Sequence, residues 1–363
     1  MFIYMRKAFI IDLITLALCA ALLLFWGIGT FFSGNESFSE EENRPLAGFP
    51  ELSIEALTDG EFFVELGKFY SDRIPNRLSL VRLKGAFELA LGKKENNGVL
   101  LIDSNTLVQR CEYESTALLE KNLRGVAANN VTLIAVPRSI DVLSASEEAA
   151  TVRSLVYSSS PEGEGLYRRL YAAENAGEQI YYRTDHHLSY DGAYILYAYI
   201  CESLGVTPYP KDGFEKQLVS DSFLGTSYSK SGALISRADS VYIPRYDGDT
   251  DLDVCCLDNG CSLRSFYDSS FISKKDKYSV FLGGNHGTLS VCSKSEQDRP
   301  RLLLIKDSFA NAVIPMLARH FDITVRDPRY DTTPIPGNYD AAIVLCGIDT
   351  LATTPFAFSI QAD

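Results

Sequence analysis

The sequence is poor in basic residues, in histidine and in cysteines spaced for a metal. Against 47 Asp and Glu stand 34 Lys and Arg, so the chain carries a net charge of −13 over 363 residues. Nucleic-acid binding needs a surplus of positive charge on some face, and no stretch supplies one. A polysaccharide, a small molecule or a protein is the better partner. Eight cysteines are present, but they form none of the C-x-x-C pairs of a structural zinc site. Internal repeats and low-complexity tracts are absent too, so nothing points to a repeat protein. With 46% hydrophobic and 22% charged residues, a disordered or collagen-like chain is excluded. The length fits one large domain or two modest ones.

One long apolar run is present, near the N-terminus. Leu13 to Phe32 are 20 residues without a charge. At about 1.5 Å per residue they reach roughly 30 Å as a helix, the thickness of a bilayer core. Arg6 and Lys7 precede the run, and Glu36, Glu40, Glu41 and Glu42 follow it. Basic before and acidic after predicts a cytoplasmic N-terminus, residues 1–7, an anchor over 8–32 and an extracytoplasmic remainder. A cleaved signal peptide is the rival. Its apolar region should be shorter and should end at a small-x-small site, and Phe32-Ser33-Gly34 is a poor one. Of the other seven cysteines, Cys255 or Cys256 with Cys261 makes the most plausible local bridge. Cys201 and Cys346 lie in apolar runs and read as buried thiols.

Residues 33–53 read as a polar linker, and 54–363 as the extracytoplasmic domain. Residues 54–91 have the spacing of an amphipathic helical pair packing on a core. Strand patterns follow at 99–102, 131–136, 179–184, 301–305, 323–325 and 341–345. Helices are expected from Ser189 to about Leu204 and from about Phe309 to His320. Strands alternating with helices predict an α/β fold with a parallel sheet. Residues 213–300 interrupt the alternation and read as a β-rich insertion.

Only four histidines are available for chemistry, and two adjoin an acid in Thr184-Asp185-His186-His187. The cluster falls at the end of a predicted strand, where α/β sheets bind ligands. An Asp beside a His can fix the imidazole tautomer and support the imidazolium formed during proton transfer. Ile305-Lys306-Asp307-Ser308-Phe309 offers the nucleophile: Ser308 follows an apolar strand and opens a predicted helix. Backbone N–H groups would then meet an oxyanion. A serine there is also an ordinary N-cap. A metal site from Asp185, His186, His187 and His286 is the other chemical reading. Adjacent histidines on a strand would point to opposite faces, which disfavours it.

Tyr182-Arg183-Thr184-Asp185-His186-His187, Gly225-Thr226, Phe281-Leu282-Gly283-Gly284-Asn285 and Leu304 to Asn311 together resemble the bacterial DHHW-motif family. Glu42-Asn43-Arg44-Pro45-Leu46 fits the family's start. That family is similar to the SGNH-like domains of periplasmic alginate O-acetyltransferases. The resemblance implies an SGNH-like, flavodoxin-like fold, with Asp185 as orienting acid, His187 as base and Ser308 as nucleophile. The family's Trp after the two histidines is Leu188 here, which bears on the pocket wall. Asn285 is a candidate oxyanion donor by likeness to the SGNH block, although Gly283-Gly284 also reads as a hairpin turn after a strand-like run at 278–282. His186 is a substrate contact or a structural residue. Arg183 meets an anionic substrate or pairs with a surface carboxylate. Gly225 to Ser229 resembles a rival nucleophile string but reads as a loop.

The expected activity is serine-dependent transfer of an acetyl group to or from an envelope or secreted polysaccharide, with no cofactor and no bound metal. The resemblance also implies a membrane-bound O-acyltransferase partner that hands over the donor. The alternatives are a non-catalytic glycan-binding envelope protein and a metal-dependent hydrolase.

Overall fold

In the computed structural model the described residues are all but 1, 33–36, 40–43, 103–104, 112, 114, 145–149, 233–236, 259–262 and 362–363. The chain divides into two compact units, residues 1–92 with 232–234 and residues 93–231 with 235–363. The expected domain at 54–363 spans both.

The first unit opens with one long helix, Phe2–Phe32. Its segment Ile10–Thr30 has a mean hydropathy of 2.3, long and apolar enough to cross a membrane. Three helices follow, Ile54–Thr58, Glu61–Asp72 and Arg77–Ala90. The expected pair is therefore a triplet, because Asp59-Gly60 and Ile74-Pro75-Asn76 break it. These helices do not pack on a core: Gly85 is their one buried residue, and Phe63, Leu83 and Phe87 are exposed.

The second unit is built on a six-stranded sheet. Its strands are β1 (Thr132–Val136), β2 (Leu252–Cys256), β3 (Thr288–Ser293), β4 (Arg301–Lys306), β5 (Asp322–Arg326) and β6 (Ala341–Gly347). The order across the sheet is β1-β6-β4-β5-β3-β2. The first four run parallel, while β3 pairs antiparallel with both β5 and β2. The sheet is thus mixed rather than all-parallel. Half of the expected 213–300 insertion supplies its last two strands, and the rest forms a separate hairpin, Glu215–Phe223 with Asp239–Arg245.

The apolar strand runs follow from burial on both faces. Ile134, Val136, Leu302, Leu304, Ile343 and Leu345 face one core with helices Pro161–Asn175 and Tyr190–Ser203. Leu133, Ala135, Leu303, Ile305, Val344 and Cys346 face the other, with helices Ala117–Ala128 and Ala150–Ser159. Cys201 and Cys346 are buried free thiols. Cys255 is free and Cys256 is disulfide-bonded; Cys261 lies outside the described residues.

β1 is an edge strand, and a buried edge must find partners for its outer N–H and C=O groups. Ser160 supplies them. Its hydroxyl donates to Leu133 O at 2.5 Å and accepts from Ala135 N at 3.3 Å, while also capping the helix at Gly163 N. Ser160→Ala leaves these groups unpaired, so chemical denaturation should show a loss of about 1–3 kcal/mol.

Candidate active site

The residues at 179–184 do not form a ladder strand. Tyr181 and Leu188 make one isolated antiparallel bridge, and the residues between them turn tightly. The turn is held from behind by Asp239, which is 1% exposed. Its carboxylate accepts from the N–H of Arg183 at 3.0 Å, the N–H and hydroxyl of Thr184 at 2.8 and 2.7 Å, and Gln179 Nε2 at 3.0 Å. Because this is a turn, the two histidines do not diverge as on a strand. Their rings lie 4.0 Å apart between centroids.

The structure brings Asp185, His187 and Ser308 together. His187 Nδ1 lies 2.6 Å from Asp185 Oδ1, and His187 Nε2 lies 2.9 Å from Ser308 Oγ. The carboxylate fixes the tautomer: Nδ1 carries the proton, and Nε2 accepts from the Ser308 hydroxyl. Asp185 and His187 are both buried. The other Asp185 oxygen accepts from Thr226 N at 2.8 Å and Thr226 Oγ1 at 2.9 Å. Burial would raise the Asp185 carboxyl, but the two histidines, the His187 hydrogen bond and the Thr226 N–H hold it well below the usual carboxylate range.

Residues 226–231 form a short helix, not the loop expected for Gly225 to Ser229. Serine, threonine and tyrosine spacing hides it; tertiary packing against Asp185 makes it. The rival Ser227 is fully buried and bonded to Gln109 Nε2 at 3.1 Å.

Ser308 sits where β4 ends, at the start of a single 3-10 turn, Ser308–Ala310. The helix expected over 309–320 is broken, with an α-helical piece only at Ile314–Leu317. So the turn, rather than a helix dipole, presents the serine. Asp307 builds that turn. It accepts from Phe309 N at 3.0 Å, Gly347 N at 2.8 Å and Thr350 Oγ1 at 2.6 Å, tying β4 to β6. Tyr278 stacks on His187 with ring centroids 3.9 Å apart, and its hydroxyl donates to Ser308 O at 3.0 Å. Tyr278 belongs to a 3-10 turn, Lys277–Val280, where the sequence suggested strand. The cap thus falls on Asp307 and not, as a serine in that place suggests, on Ser308. Nothing local marks Tyr278 or Asp239, which reach the site from far along the chain.

His186 Nδ1 lies 3.0 Å from Thr226 Oγ1. The Thr226 proton already goes to Asp185, so His186 Nδ1 is the donor and its Nε2 keeps a lone pair. Burial and the neighbouring His187 pull His186 down to about 4. Its side chain is still 37% exposed, so water tempers that shift. His186 lines a pocket of about 180 Å³ with Val136, Pro137, Arg138, Phe309 and Ile348. Leu188 does not reach that pocket; it is buried in the core.

Asn285 is bonded to neither histidine among the described residues. Its Oδ1 meets Asn311 Nδ2 at 3.2 Å and Lys306 Nζ at 3.4 Å. Lys306 is fully buried, 2.8 Å from Asn311 Oδ1 and 3.6 Å from Asp327. Burial draws it down to about 8 against the pull of Asp327. Arg183 points elsewhere and stands 3.9 Å from Asp239. Asp185, His186 and His187 offer donor atoms within metal-binding reach of one another, as do Cys256, Asp258 and His286. In the first set the Asp185 oxygens and both His187 nitrogens are engaged in hydrogen bonds. In the second, Cys256 is disulfide-bonded and lacks a thiolate. His286 is not part of the first set.

A family model described as DHHW protein matches residues 146–325, a span that includes Asp185, His187 and Ser308. No curated protein matches the sequence. A DHHW family protein from Eubacterium siraeum is similar in structure, with 19% identity and a TM-score of 0.54 over 71% of this chain and 93% of that one. Bacillus cereus PatB1 with a sulfonyl adduct is similar at 16% identity and a TM-score of 0.58, over 72% of this chain and 99% of that one. The O-acetyltransferase domain of Pseudomonas putida AlgJ aligns more loosely, at 13% identity and a TM-score of 0.41, over 70% and 92%. At these identities the likeness to the first two establishes the fold alone.

Two predictions follow from the geometry. A Cβ on Gly225 would lie 2.3 Å from Asp185 Cβ and 2.4 Å from its Oδ2. Gly225→Ala should therefore cost about 1–3 kcal/mol in chemical denaturation. His186 and His320 are both lowered to about 4, each first by burial. Between pH 6.5 and 4 the unfolded chain binds more protons at these sites than the folded one, so stability falls as pH falls through that window. Asp185 keeps contributing until more acid pH, because its folded value is depressed. The melting temperature of His186→Gln/His320→Gln should be flatter than wild type across the window.

Proposed function

We propose that this protein is a membrane-anchored, extracytoplasmic acyl-transfer enzyme, an O-acetyltransferase or acetylesterase acting on a cell-envelope or secreted polysaccharide. The observation that carries the reading is the hydrogen-bonded chain from Ser308 Oγ through His187 to Asp185. Nothing in a buried acid, an oriented imidazole and a strand-end hydroxyl is needed for stability in that order, whereas nucleophilic catalysis needs all three. The resemblance of the motifs to the alginate O-acetyltransferase domains supplies the acetyl group and the sugar.

In the acylation step Ser308 Oγ bonds to the carbonyl carbon of the donor as His187 Nε2 takes the serine proton. The carbonyl electron pair moves onto oxygen, where the Ser308 N–H can donate to it; the Phe309 and Ala310 N–H groups are already taken by Asp307. As the intermediate collapses, the bond to the leaving group breaks and His187 returns the proton to it. A sugar hydroxyl, or water, then gives its proton to His187 and bonds to the acyl carbon; as the bond to Ser308 Oγ breaks, His187 returns that proton to Oγ. Asp185 stays ionised and supports the imidazolium in both steps. Tyr278 limits ring rotation. The pocket lined by Val136, Pro137, Phe309 and Ile348 would take the acyl group, and the His186 Nε2 lone pair would accept from a second hydroxyl of the sugar, not the attacking one. The apolar helix holds the enzyme at the membrane, with Arg6 and Lys7 on the cytoplasmic side. A membrane-bound O-acyltransferase would deliver the donor there.

The test is hydrolysis of a chromogenic acetate by the full chain in detergent, with labelling by a sulfonyl fluoride and mapping by mass spectrometry. Ser308→Ala should lose the label and at least about 10³-fold in turnover, and Asp185→Asn about 10⁴-fold. Wild-type turnover in Ser308→Ala would overturn the proposal. Loss of turnover on treatment with a chelator would point instead to the Asp185-His186-His187 cluster as a metal site.

A further inference from the structure

A second depression, of about 220 Å³, opens between the start of helix Tyr190–Ser203 and the hairpin Glu215–Phe223/Asp239–Arg245. Arg183, Lys216 and Arg237 line it, with Tyr190, Tyr242 and a single acid, Asp191. Three cations around one carboxylate stand out in a chain of net charge −13. That carboxylate is already shared by Lys211 at 2.9 Å and Lys216 at 3.0 Å.

Arg237 is exposed and makes no ion pair among the described residues, whereas Arg183 makes a loose one with Asp239 and lies near the Glu174 carboxylate. Arg183 stands 3.9 Å from Asp239, beyond hydrogen-bond reach. The Asp239 oxygens are filled by backbone, threonine and glutamine donors. Among the described residues neither the Arg183 nor the Arg237 guanidinium has a hydrogen-bond partner. The Tyr190 side chain shows the same deficit: the residue is 5% exposed, yet its hydroxyl is buried without a partner. A buried donor left unmade is costly and marks a place where a ligand or water belongs. Tyr190 is also the first residue of a 14-residue helix capped by Ser189, so the positive end of the helix faces the same space.

We infer that this depression binds an oxyanionic group, a carboxylate or phosphate, borne on a glycan chain. The Arg183 and Arg237 guanidinium groups are the charge partners and the Tyr190 hydroxyl is the neutral donor. Guanidinium forks suit both anions, and Lys216, 4.8 and 4.7 Å from the Tyr190 and Tyr242 ring centroids, adds charge at the wall. Arg183 is two residues before Asp185, so at most about 7 Å of backbone separates them. The depression and the Asp185-His187 pair thus share one turn of the chain. The inference rests on the proposed acyl transfer only in calling the glycan a substrate; the anion site stands without it.

Calorimetry with the full chain in detergent at low salt tests it directly. The probes are tetragalacturonate, glycerol 3-phosphate and, as a neutral control, maltotetraose. At least one anion should bind, more weakly as salt rises, and the tighter of the two identifies the carboxylate or phosphate source. Arg183→Gln/Arg237→Gln should weaken it by about 100-fold, roughly tenfold per charge-assisted contact. Tyr190→Phe keeps the ring packing and should still weaken binding by about three- to tenfold. Ser308→Ala should bind as wild type. The inference is overturned if neither anion binds, if maltotetraose binds equally well, or if the double variant and Tyr190→Phe both bind like wild type. Anion binding without ester turnover would sink the acyl-transfer reading alone, and turnover without anion binding this inference alone.

Discussion

A buried carboxylate must have both oxygens satisfied, and the Asp185 side chain meets that demand in two directions at once. One oxygen meets His187 and the other meets the N–H and hydroxyl of Thr226. Everything near the site is arranged around this division. Gly225 lacks a side chain because the acid occupies the space where one would go. Asp239 locks the preceding residues into the turn that aims Asp185 inward. The desolvation cost of the ion is thereby offset by donors fixed before any reaction begins, which is the meaning of preorganisation in electrostatic terms.

The serine is fixed from the opposite side by a separate set of contacts. β4 must stop at Lys306 for Ser308 to emerge, and Asp307 makes it stop by bonding across to Gly347 and Thr350 at the end of β6. Gly347 is closely hemmed by Phe309, 2.7 Å from where a Cβ would sit. Beneath the turn, Lys306 is held by Asn311 and Asp327, and Asp327 is held by Arg329 at 2.7 and 2.9 Å. A fully buried lysine is tolerable only with such partners. It ties the ends of β4 and β5 into one block, so the 2.9 Å contact between Ser308 and His187 joins two independently braced pieces.

The parallel strands were legible because burial on both faces writes itself as continuous apolar runs, as in Val131 to Val136 and Arg301 to Ile305. Asp185, His187 and Ser308 were legible because an acid beside histidines and a serine after an apolar strand are local patterns. What escaped was the structure imposed from a distance. Residues 179–184 look like a strand, yet Asp239 and the Tyr181–Leu188 bridge bend them into a turn. β2 and β3 read as part of an insertion because antiparallel addition to a sheet edge leaves no mark in the periodicity of either strand. Thr226 showed only as part of a motif string with no role attached, and Tyr278 not at all as a site residue; both matter through the side chains they meet.

The turn from Arg183 to Tyr190 presents different chemistry to two depressions. His186 lines the pocket beside the nucleophile, whereas Arg183, Ser189 and Tyr190 line the cationic one. Leu188 between them is buried, anchoring the turn to the core. Leu188 is therefore a wall of neither depression. Such an arrangement makes the backbone of eight residues the shared floor of both depressions. Their relative geometry is then set by the same Asp239 clamp that orients Asp185. Whatever is held at the cationic depression would be registered against Ser308 and His187 by a turn braced through Asp239 rather than by a loose loop.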